Sequence, residues 1–260
     1  MAHDRHLFIS DLHLDFTAPE AVAQFLRFLD EQARDCAGLY ILGDLVETWI
    51  GDDDDEPIRG TVCAALRTLT RQGTPCWIMR GNRDFLLGED FEHRTGCQLL
   101  PDPALLEMGP LRVVLTHGDL LCTGDVRYQQ FRLLAHSPRF RQVYLRLPLT
   151  TRRALAHMGR SRSHEHTRQT RTDIMDVSEA AVVAALRCAN SKLLIHGHTH
   201  RPGIHQLMVD GQPATRIVLG DWYEQGSCLA LYPDGRYERL ELPRAVSGST
   251  VNMESNRLRV

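Results

Sequence analysis

Five short turns of this 260-residue chain carry side chains able to hold metal ions. They are Ser10-Asp11-Leu12-His13, Gly43-Asp44-Leu45-Val46-Glu47, Gly81-Asn82-Arg83-Asp84, Thr116-His117-Gly118-Asp119 and His196-Gly197-His198-Thr199-His200. Carboxylate, amide and imidazole donors without a thiolate suit divalent ions such as Mn²⁺, Fe²⁺ or Zn²⁺, and so many donors favour two of the harder kind. A carboxylate can bridge two ions and a neutral imidazole cannot, so Asp44 is the natural bridge. The glycines at 43, 81, 118 and 197 allow tight turns and close backbone approach. Each fragment alone has a plain structural reading. D-x-H arises by chance, G-D and G-N-x-D occur in ordinary turns, and His198 and His200 could sit on a surface. Five in order, each closing an apolar run, point to one site.

Those runs are the elements that must position the turns. They are His6-Leu7-Phe8-Ile9, Leu39-Tyr40-Ile41-Leu42, Cys76-Trp77-Ile78-Met79, Leu111-Arg112-Val113-Val114-Leu115 and Leu193-Leu194-Ile195. A sixth, Arg216-Ile217-Val218-Leu219, lacks such a turn. Four or five apolar residues between turn signals read as buried strands. Helical patterns alternate with them. Thr17 and Glu20 form a capping box ahead of a face of Val22, Phe25, Leu26, Leu29 and Ala33. Residues 60–71 (Cys63, Leu66, Leu69) and 178–189 (Ala181, Val182, Ala185, Leu186) repeat the pattern. Alternating strand and helix predicts an α/β layered fold, whose ligands gather beyond the carboxyl ends of the strands.

Composition is that of a globular protein, 43% hydrophobic and 24% charged. No stretch is apolar enough to span a bilayer, and Leu7-Phe8-Ile9 is too short for a signal-peptide core, so a cytoplasmic protein is expected. The seven cysteines are scattered without a C-x-x-C pair, which argues against disulfides and thiolate zinc sites and for small core side chains. Residues 126–172 hold eleven arginines against one acid, Glu165, a net +10 that leaves −13 for the remainder. Such a block suggests an anionic partner. It also interleaves Phe131, Leu133, Leu134, Phe140, Val143, Tyr144, Leu145, Leu147, Leu155 and Met158, and Pro138 and Pro148 divide it into short helices. We read 1–120 and 173–243 as the core, 121–172 as an inserted helical lid and 244–260 as a polar tail. Asp52 to Glu56, five acids in a row, read as a solvated loop. His164 and His166 read as surface residues, and His196, pointing away by strand alternation, as structural.

The turns resemble the calcineurin-like metallophosphoesterases, with their D-x-H, G-D, G-N-H-[ED], H and G-H-x-H pattern, over residues 7 to about 222. The resemblance implies an α/β/β/α sandwich with an inserted helical cap. It implies one ion on Asp11, His13, Asp44 and His200 and another on Asp44, Asn82, His117 and His198. The family commonly has a proton-donating His after G-N, where this chain has Arg83. Arginine stays charged and grips phosphate bidentately, and a phosphate-ester leaving group, whose second pKa is ~6, departs unprotonated. The substrate expected is therefore an anhydride.

Phe8-Ile9-Ser10-Asp11-Leu12-His13-Leu14, Gly81-Asn82-Arg83-Asp84-Phe85-Leu86, Ile195-His196-Gly197-His198-Thr199-His200-Arg201-Pro202 and Leu219-Gly220-Asp221-Trp222 are similar to the UDP-2,3-diacylglucosamine pyrophosphatase family of lipid A biosynthesis. That resemblance implies a Mn²⁺-dependent hydrolase in which water, activated by two metals, attacks the α-phosphorus to give UMP and 2,3-diacylglucosamine 1-phosphate. Its catalytic residues would be Asp44, Asn82, Arg83 and His117. Asn82, Arg83 and His198 would touch the phosphate, while Asp125, Tyr128, Arg160, Ser163, Thr167 and the position of Thr170 would meet the glucosamine headgroup. The family often has Lys where Thr170 stands, and Arg171 is the neighbouring substitute. Tyr128 also reads as helix packing, and Ser163 or Thr167 as a helix cap. The implied place is the cytoplasmic face of the inner membrane, held peripherally, with Arg152, Arg153 and Arg160 drawn to anionic lipid. No nucleic acid and no obligatory protein partner are expected. The rival is a metal-dependent phosphodiesterase or nuclease, which the basic block suits but the lack of aromatic-basic stacking repeats does not. A non-catalytic scaffold fits poorly, since the ligand set is complete.

Overall fold

The computed structural model describes residues 4–169 and 176–243, the side chains of 161–169 excepted. In chain order the elements are β1 (His6–Ile9), α1 (Pro19–Phe28), β2 (Gly38–Leu42), α2 (Pro57–Arg71), β3 (Cys76–Met79), α3 (Glu89–Thr95), β4 (Gln98–Leu100), β5 (Ala104–Met108) and β6 (Leu111–Thr116). Then come α4 (Val126–Ala135), α5 (Pro138–Leu145), α6 (Leu149–Gln169), α7 (Glu179–Cys188), β7 (Leu193–His196), β8 (Gly203–Val209), β9 (Gln212–Val218), β10 (Gly226–Leu231) and β11 (Tyr237–Leu242).

Two sheets form, in the orders β11-β10-β1-β2-β3-β4 and β5-β6-β7-β9-β8. β2 (Gly38–Leu42) and β7, apolar but for His196, are buried at every position and so on both faces. Phe8, Tyr40, Leu42 and Met79 of one sheet meet Val113, Leu115, Ile195 and Ile217 of the other in a central layer. On the outer faces, Phe25, Phe28, Val62, Leu66 and Phe91 of α1 to α3 cover the first sheet, and Val182 and Leu186 of α7 cover the second. The fold is an α/β/β/α sandwich. All seven cysteines are unpaired and only Cys188 is exposed.

Some local expectations are corrected. Thr17 does not cap α1: Ala18 holds the cap position with no side-chain bond, Pro19 opens the helix, and the Thr17 hydroxyl and amide bond Asp15. Proline at the first helical position sets φ without a wasted donor, which outweighs a capping box. The buried face of α1 centres on Ala21, Phe25 and Phe28, with Val22 and Leu26 half-buried. For the same proline reason α2 starts at Pro57 rather than at 60.

The acid run is a loop only partly solvated, with Asp53 and Asp55 exposed but Asp52 and Asp54 engaged by the protein. Asp52 accepts from Trp49 Nε1 (2.8 Å), Gly88 N (3.2 Å) and Phe91 N (3.1 Å), and so caps α3, whose own cap residue is glycine. Asp54 is buried and pairs with Arg59 and Arg153, while Asp53 pairs with Arg152. Arg152 also donates to the carbonyls of Ile50 (2.6 Å) and Leu147 (3.0 Å), and Arg153 reaches Asp55. This corrects a second expectation. Arg152 is buried against this acid run and is not available to an anionic membrane, and Arg153, half exposed, already pairs with Asp54 and Asp55. Sequence spacing conceals the pairing, since the partners lie about a hundred residues apart.

Candidate metal centre

The five turns do converge. Asp11 N donates to Gly43 O (3.1 Å), His13 N to Asp44 O (3.0 Å) and Gly197 N to His117 O (2.9 Å), tying the turns edge to edge. His198 N donates to Asp11 Oδ2 (2.9 Å), joining the first turn to the last.

The backbone is held in an unfavourable region. Asp11, His13, Asp44, His198 and His200 all have φ between 48° and 68°, five of the seven non-glycine residues with positive φ among those described. Asp, Asn and His tolerate this left-handed region best, yet it still costs on the order of 1–2 kcal/mol per residue. Such strain persists where surrounding structure enforces it, and it clusters at functional sites. Gly81 illustrates the crowding, since a Cβ there would run into the Asp44 carboxylate.

Two groups of donor atoms result, sharing Asp44. In the first, His13 Nε2 lies 3.4 Å from His200 Nε2 and 3.7 Å from Asp44 Oδ2, and His200 Nε2 lies 3.4 Å from Asp11 Oδ1. In the second, Asn82 Oδ1 lies 3.0 Å from His117 Nε2 and 3.1 Å from His198 Nδ1, with Asp44 Oδ1 3.8 Å from His117 Nε2. The two carboxylate oxygens of Asp44 thus face different groups. Arg83 N donates to Asp44 Oδ1 (2.8 Å) and fixes that orientation.

These residues fit divalent ions. Asp11 Oδ1 is buried without a hydrogen-bond partner, an arrangement that costs energy unless a cation meets it. Three imidazoles have one nitrogen committed to an outer oxygen: His117 Nδ1 to Leu42 O (2.9 Å), His13 Nδ1 to Glu47 Oε2 (3.0 Å) and His200 Nδ1 to Asp221 Oδ2 (3.3 Å). Those oxygens are acceptors, so Nδ1 keeps a hydrogen, and an ion that displaced the second proton would meet the Nε2 lone pair, as in metal-ligating histidines. The atoms of Asp11, His13 and His200, and those of Asp11, Asp44 and His117, lie close enough to share an ion. The pocket also draws positive charge. Burial would lower His200 and His117, but Asp11 and Asp221 push His200 up to about 10, and Asp44 and Asp119 push His117 up to about 9.

Several contributors escaped the sequence reading. Asp84 is no ligand: its carboxylate accepts from Gly81 N (2.7 Å), Leu45 N (2.8 Å) and Asp44 N (3.3 Å), and burial, with Asp44 beside it, raises it to about 6. Glu47 spans His13 and Arg83, whose Nη1 lies 3.6 Å away. Tyr223 stacks on His13, with centroids 5.2 Å apart. Asp102 and Asp119 clamp Arg132 of α4 (2.6 and 2.8 Å), and Asp102 Oδ1 accepts from Thr116 Oγ1 and His117 N. Glu47, three residues past Asp44, had a spacing signal; Asp102 had none.

The remaining sequence-predicted residues divide. Arg83 is part-buried at the site's edge. Tyr128 donates to Asp119 Oδ2 (2.6 Å) with its ring 6.0 Å from His198, so it both packs α4 and borders the site. Asp125 caps α4 through Tyr128 N (3.0 Å). Arg160 Nη1 donates to Thr48 Oγ1 (3.0 Å). The side chains of Ser163, His164, His166 and Thr167, and Thr170 and Arg171 entire, lie outside the described residues, as does the 244–260 tail. His196 is buried with Nδ1 on Gly197 O (2.8 Å), consistent with a structural role.

Comparison with known proteins supplies the context. A family model described as calcineurin-like phosphoesterase matches residues 5–202. The UDP-2,3-diacylglucosamine hydrolase of Aeromonas hydrophila subsp. hydrophila is 50% identical over 227 residues, covering 87% of this chain and 94% of the relative. That of Stenotrophomonas maltophilia is 50% identical over 236 residues (88% and 95%), and that of Escherichia coli O7:K1 46% identical over 228 residues (88% and 95%).

Proposed function

Because this chain belongs to the calcineurin-like phosphoesterase family, and within it to the UDP-2,3-diacylglucosamine hydrolases, we propose that it cleaves the pyrophosphate bond of UDP-2,3-diacylglucosamine. The products are UMP and 2,3-diacylglucosamine 1-phosphate, a step of lipid A biosynthesis. The observation that carries this reading is a two-part donor set sharing Asp44, with Arg83 where an alkoxide-releasing enzyme would have a proton donor.

Asp11, His13, Asp44 and His200 would hold one divalent ion and Asp44, Asn82, His117 and His198 the other, with Mn²⁺ as the metal proposed. When bound, such ions supply Lewis acidity and lower the pKa of water from 15.7 to about 7. The chain's own residues do the rest. Glu47 fixes the His13 ring and sits beside the Arg83 guanidinium, which then grips phosphate oxygens in a planar, two-point contact. Asn82 offers its amide to the same phosphate. The departing group is itself a phosphate ester, so no side chain need protonate it.

The helices between β6 and α7 act as the lid in this reading. Val126, Phe131, Leu133 and Leu134 of α4, Val143 of α5 and Met158 of α6 are exposed, an apolar surface suited to acyl chains and to peripheral attachment at the inner membrane's cytoplasmic face. Among the described residues no helix is long and apolar enough to cross a membrane. Tyr128 and Arg160 would meet the glucosamine headgroup in this reading, and Ser163, Thr167 and Thr170 are proposed with them on family resemblance alone. Asp125, as the α4 cap, would act chiefly through Tyr128. The nuclease alternative weakens, because Arg132, Arg152 and Arg153 of the basic block pair with this chain's own acids.

One experiment tests the whole reading. With Mn²⁺, kcat/KM on UDP-2,3-diacylglucosamine should exceed that on deacylated UDP-glucosamine by orders of magnitude, since each buried methylene contributes about 0.8 kcal/mol. Single-stranded DNA should not be cut. Equal values on the two sugars would leave a general nucleotide-sugar pyrophosphatase as the better account, and DNA cleavage at a comparable rate would favour the nuclease.

A further inference from the structure

The metal centre has two unlike flanks. At the His117–His198 end stands α4, with Tyr128 against His198. At the His13–His200 end a cleft of about 350 Å³ opens between the loop after β9 and the β10–β11 edge. Two of its walls touch the ion ligands directly: Asp221 holds His200 Nδ1, and Tyr223 lies flat on His13. The floor is set by sheet register. Arg239 and Glu241 lie two residues apart on β11, hence on one face, and Glu241 stands opposite Ser227 of β10. Among the described residues neither the Arg239 nor the Glu241 side chain has a hydrogen-bond or ion-pair partner.

The chemistry of the walls selects the occupant. Asp221, Glu224 and Glu241 outnumber the one cation, Arg239, so a second phosphate would be repelled. Neutral, hydroxyl-rich and heterocyclic groups are not. Carboxylates accept from a ribose diol, the contact that dinucleotide-binding folds also use. An arginine and the Gln225 amide can donate to ring carbonyls, and a carboxylate can accept from a ring N–H. The volume lies at the lower end of small-molecule pockets, ~300–1,000 Å³, enough for a nucleoside and too small for a diacylated sugar.

We infer that this cleft binds the uridine half of the substrate, so that the pyrophosphate crosses the two donor groups with the nucleoside beyond His200 and the acylated sugar beyond His198. The inference rests on the pyrophosphatase reading above. Its test uses the full-length, metal-loaded protein, with UMP and inorganic phosphate as competing inhibitors. Arg239→Ala and Glu241→Ala should each raise the UMP inhibition constant about tenfold, the loss of one charge-assisted hydrogen bond, and leave that of phosphate unchanged. KM for the UDP substrate should rise more than kcat falls. Addition of UMP to the wild-type protein loaded with Mg²⁺ should shift the amide resonances of Ser227 and Glu241, a readout that needs no variant. Unchanged UMP inhibition in both variants, or shifts confined to the α4 side, would overturn the inference while the hydrolase reading stands. A wild-type enzyme inactive on the UDP substrate would overturn both.

Discussion

Leu7, Ile9 and Ile41 of the sandwich are fully buried, whereas on α4 Leu133 is 72% exposed. Among residues 126–160 only Ala135 and Arg152 are buried. The sandwich puts apolar side chains inside and buries charge chiefly at its metal centre and in the Asp54–Arg59 pair. The three helices turn apolar side chains out and hold their arginines against the sandwich: Arg132 on Asp102 and Asp119, Arg141 on Leu87 O, Arg152 on Asp53, Arg153 on Asp54 and Asp55. Two kinds of cohesion follow. Apolar burial is non-directional and is not screened by salt, while ion pairs at partly exposed positions weaken with ionic strength. Helices seated by charge leave their apolar side chains exposed, which helices seated by apolar packing could not do.

The largest expected effect is confined to the sandwich. Asp44→Asn replaces one of the two carboxylate oxygens that face the donor groups with an amide nitrogen and removes the negative charge they share. It should lower kcat by more than the ~10²–10³ typical of losing one preorganised donor. Elemental analysis should find fewer than two ions per chain, with the thermal transition of the metal-free protein little changed. Near-normal turnover would refute the shared bridge.

Arg83→Leu comes next. It should cost roughly 2–4 kcal/mol in kcat/KM, as for loss of one charged donor to the transition state. Arg83→His should not restore cleavage of the anhydride, because the leaving phosphate needs no proton. Unchanged kcat/KM in Arg83→Leu would remove the phosphate contact from the mechanism.

The lid side of the contrast is tested by Arg152→Ala. Breaking a fully buried pair costs ~3–5 kcal/mol, but Asp53 is 62% exposed, so about 1–3 kcal/mol is expected. The loss should appear as faster amide exchange in α5 and α6, with β1, β2 and β7 unchanged, and KM should rise with salt. Equal acceleration in the central strands would show that lid and sandwich unfold as one unit.

The smallest effect concerns His136, at the end of α4. Burial, with Arg132 beside it, lowers it from the usual 6.5 to about 4. The unfolded chain therefore takes up this proton first as pH falls, and the site's share of stability, full above about 6.5, is lost between 6.5 and 4. His136→Phe should flatten that part of the stability profile for α4; an unaltered profile would show that other groups govern it.

The sequence by itself determined the chemistry and the layers. Donor-bearing turns after apolar runs fixed which strand ends meet, because a short apolar run has few ways to be buried and a parallel sheet aligns its carboxyl ends. It also located the breaks between α4, α5 and α6, at Pro138 and Pro148, because proline does not continue a helix. Only tertiary structure decided what the charges do. Nothing in five consecutive acids or eleven arginines tells whether they meet solvent, lipid or each other, because charge acts through space and its partners here lie about a hundred residues apart. The same holds for the five left-handed backbones at the metal centre. No residue type there demands that conformation, and only the closure of five strand ends onto one point enforces it.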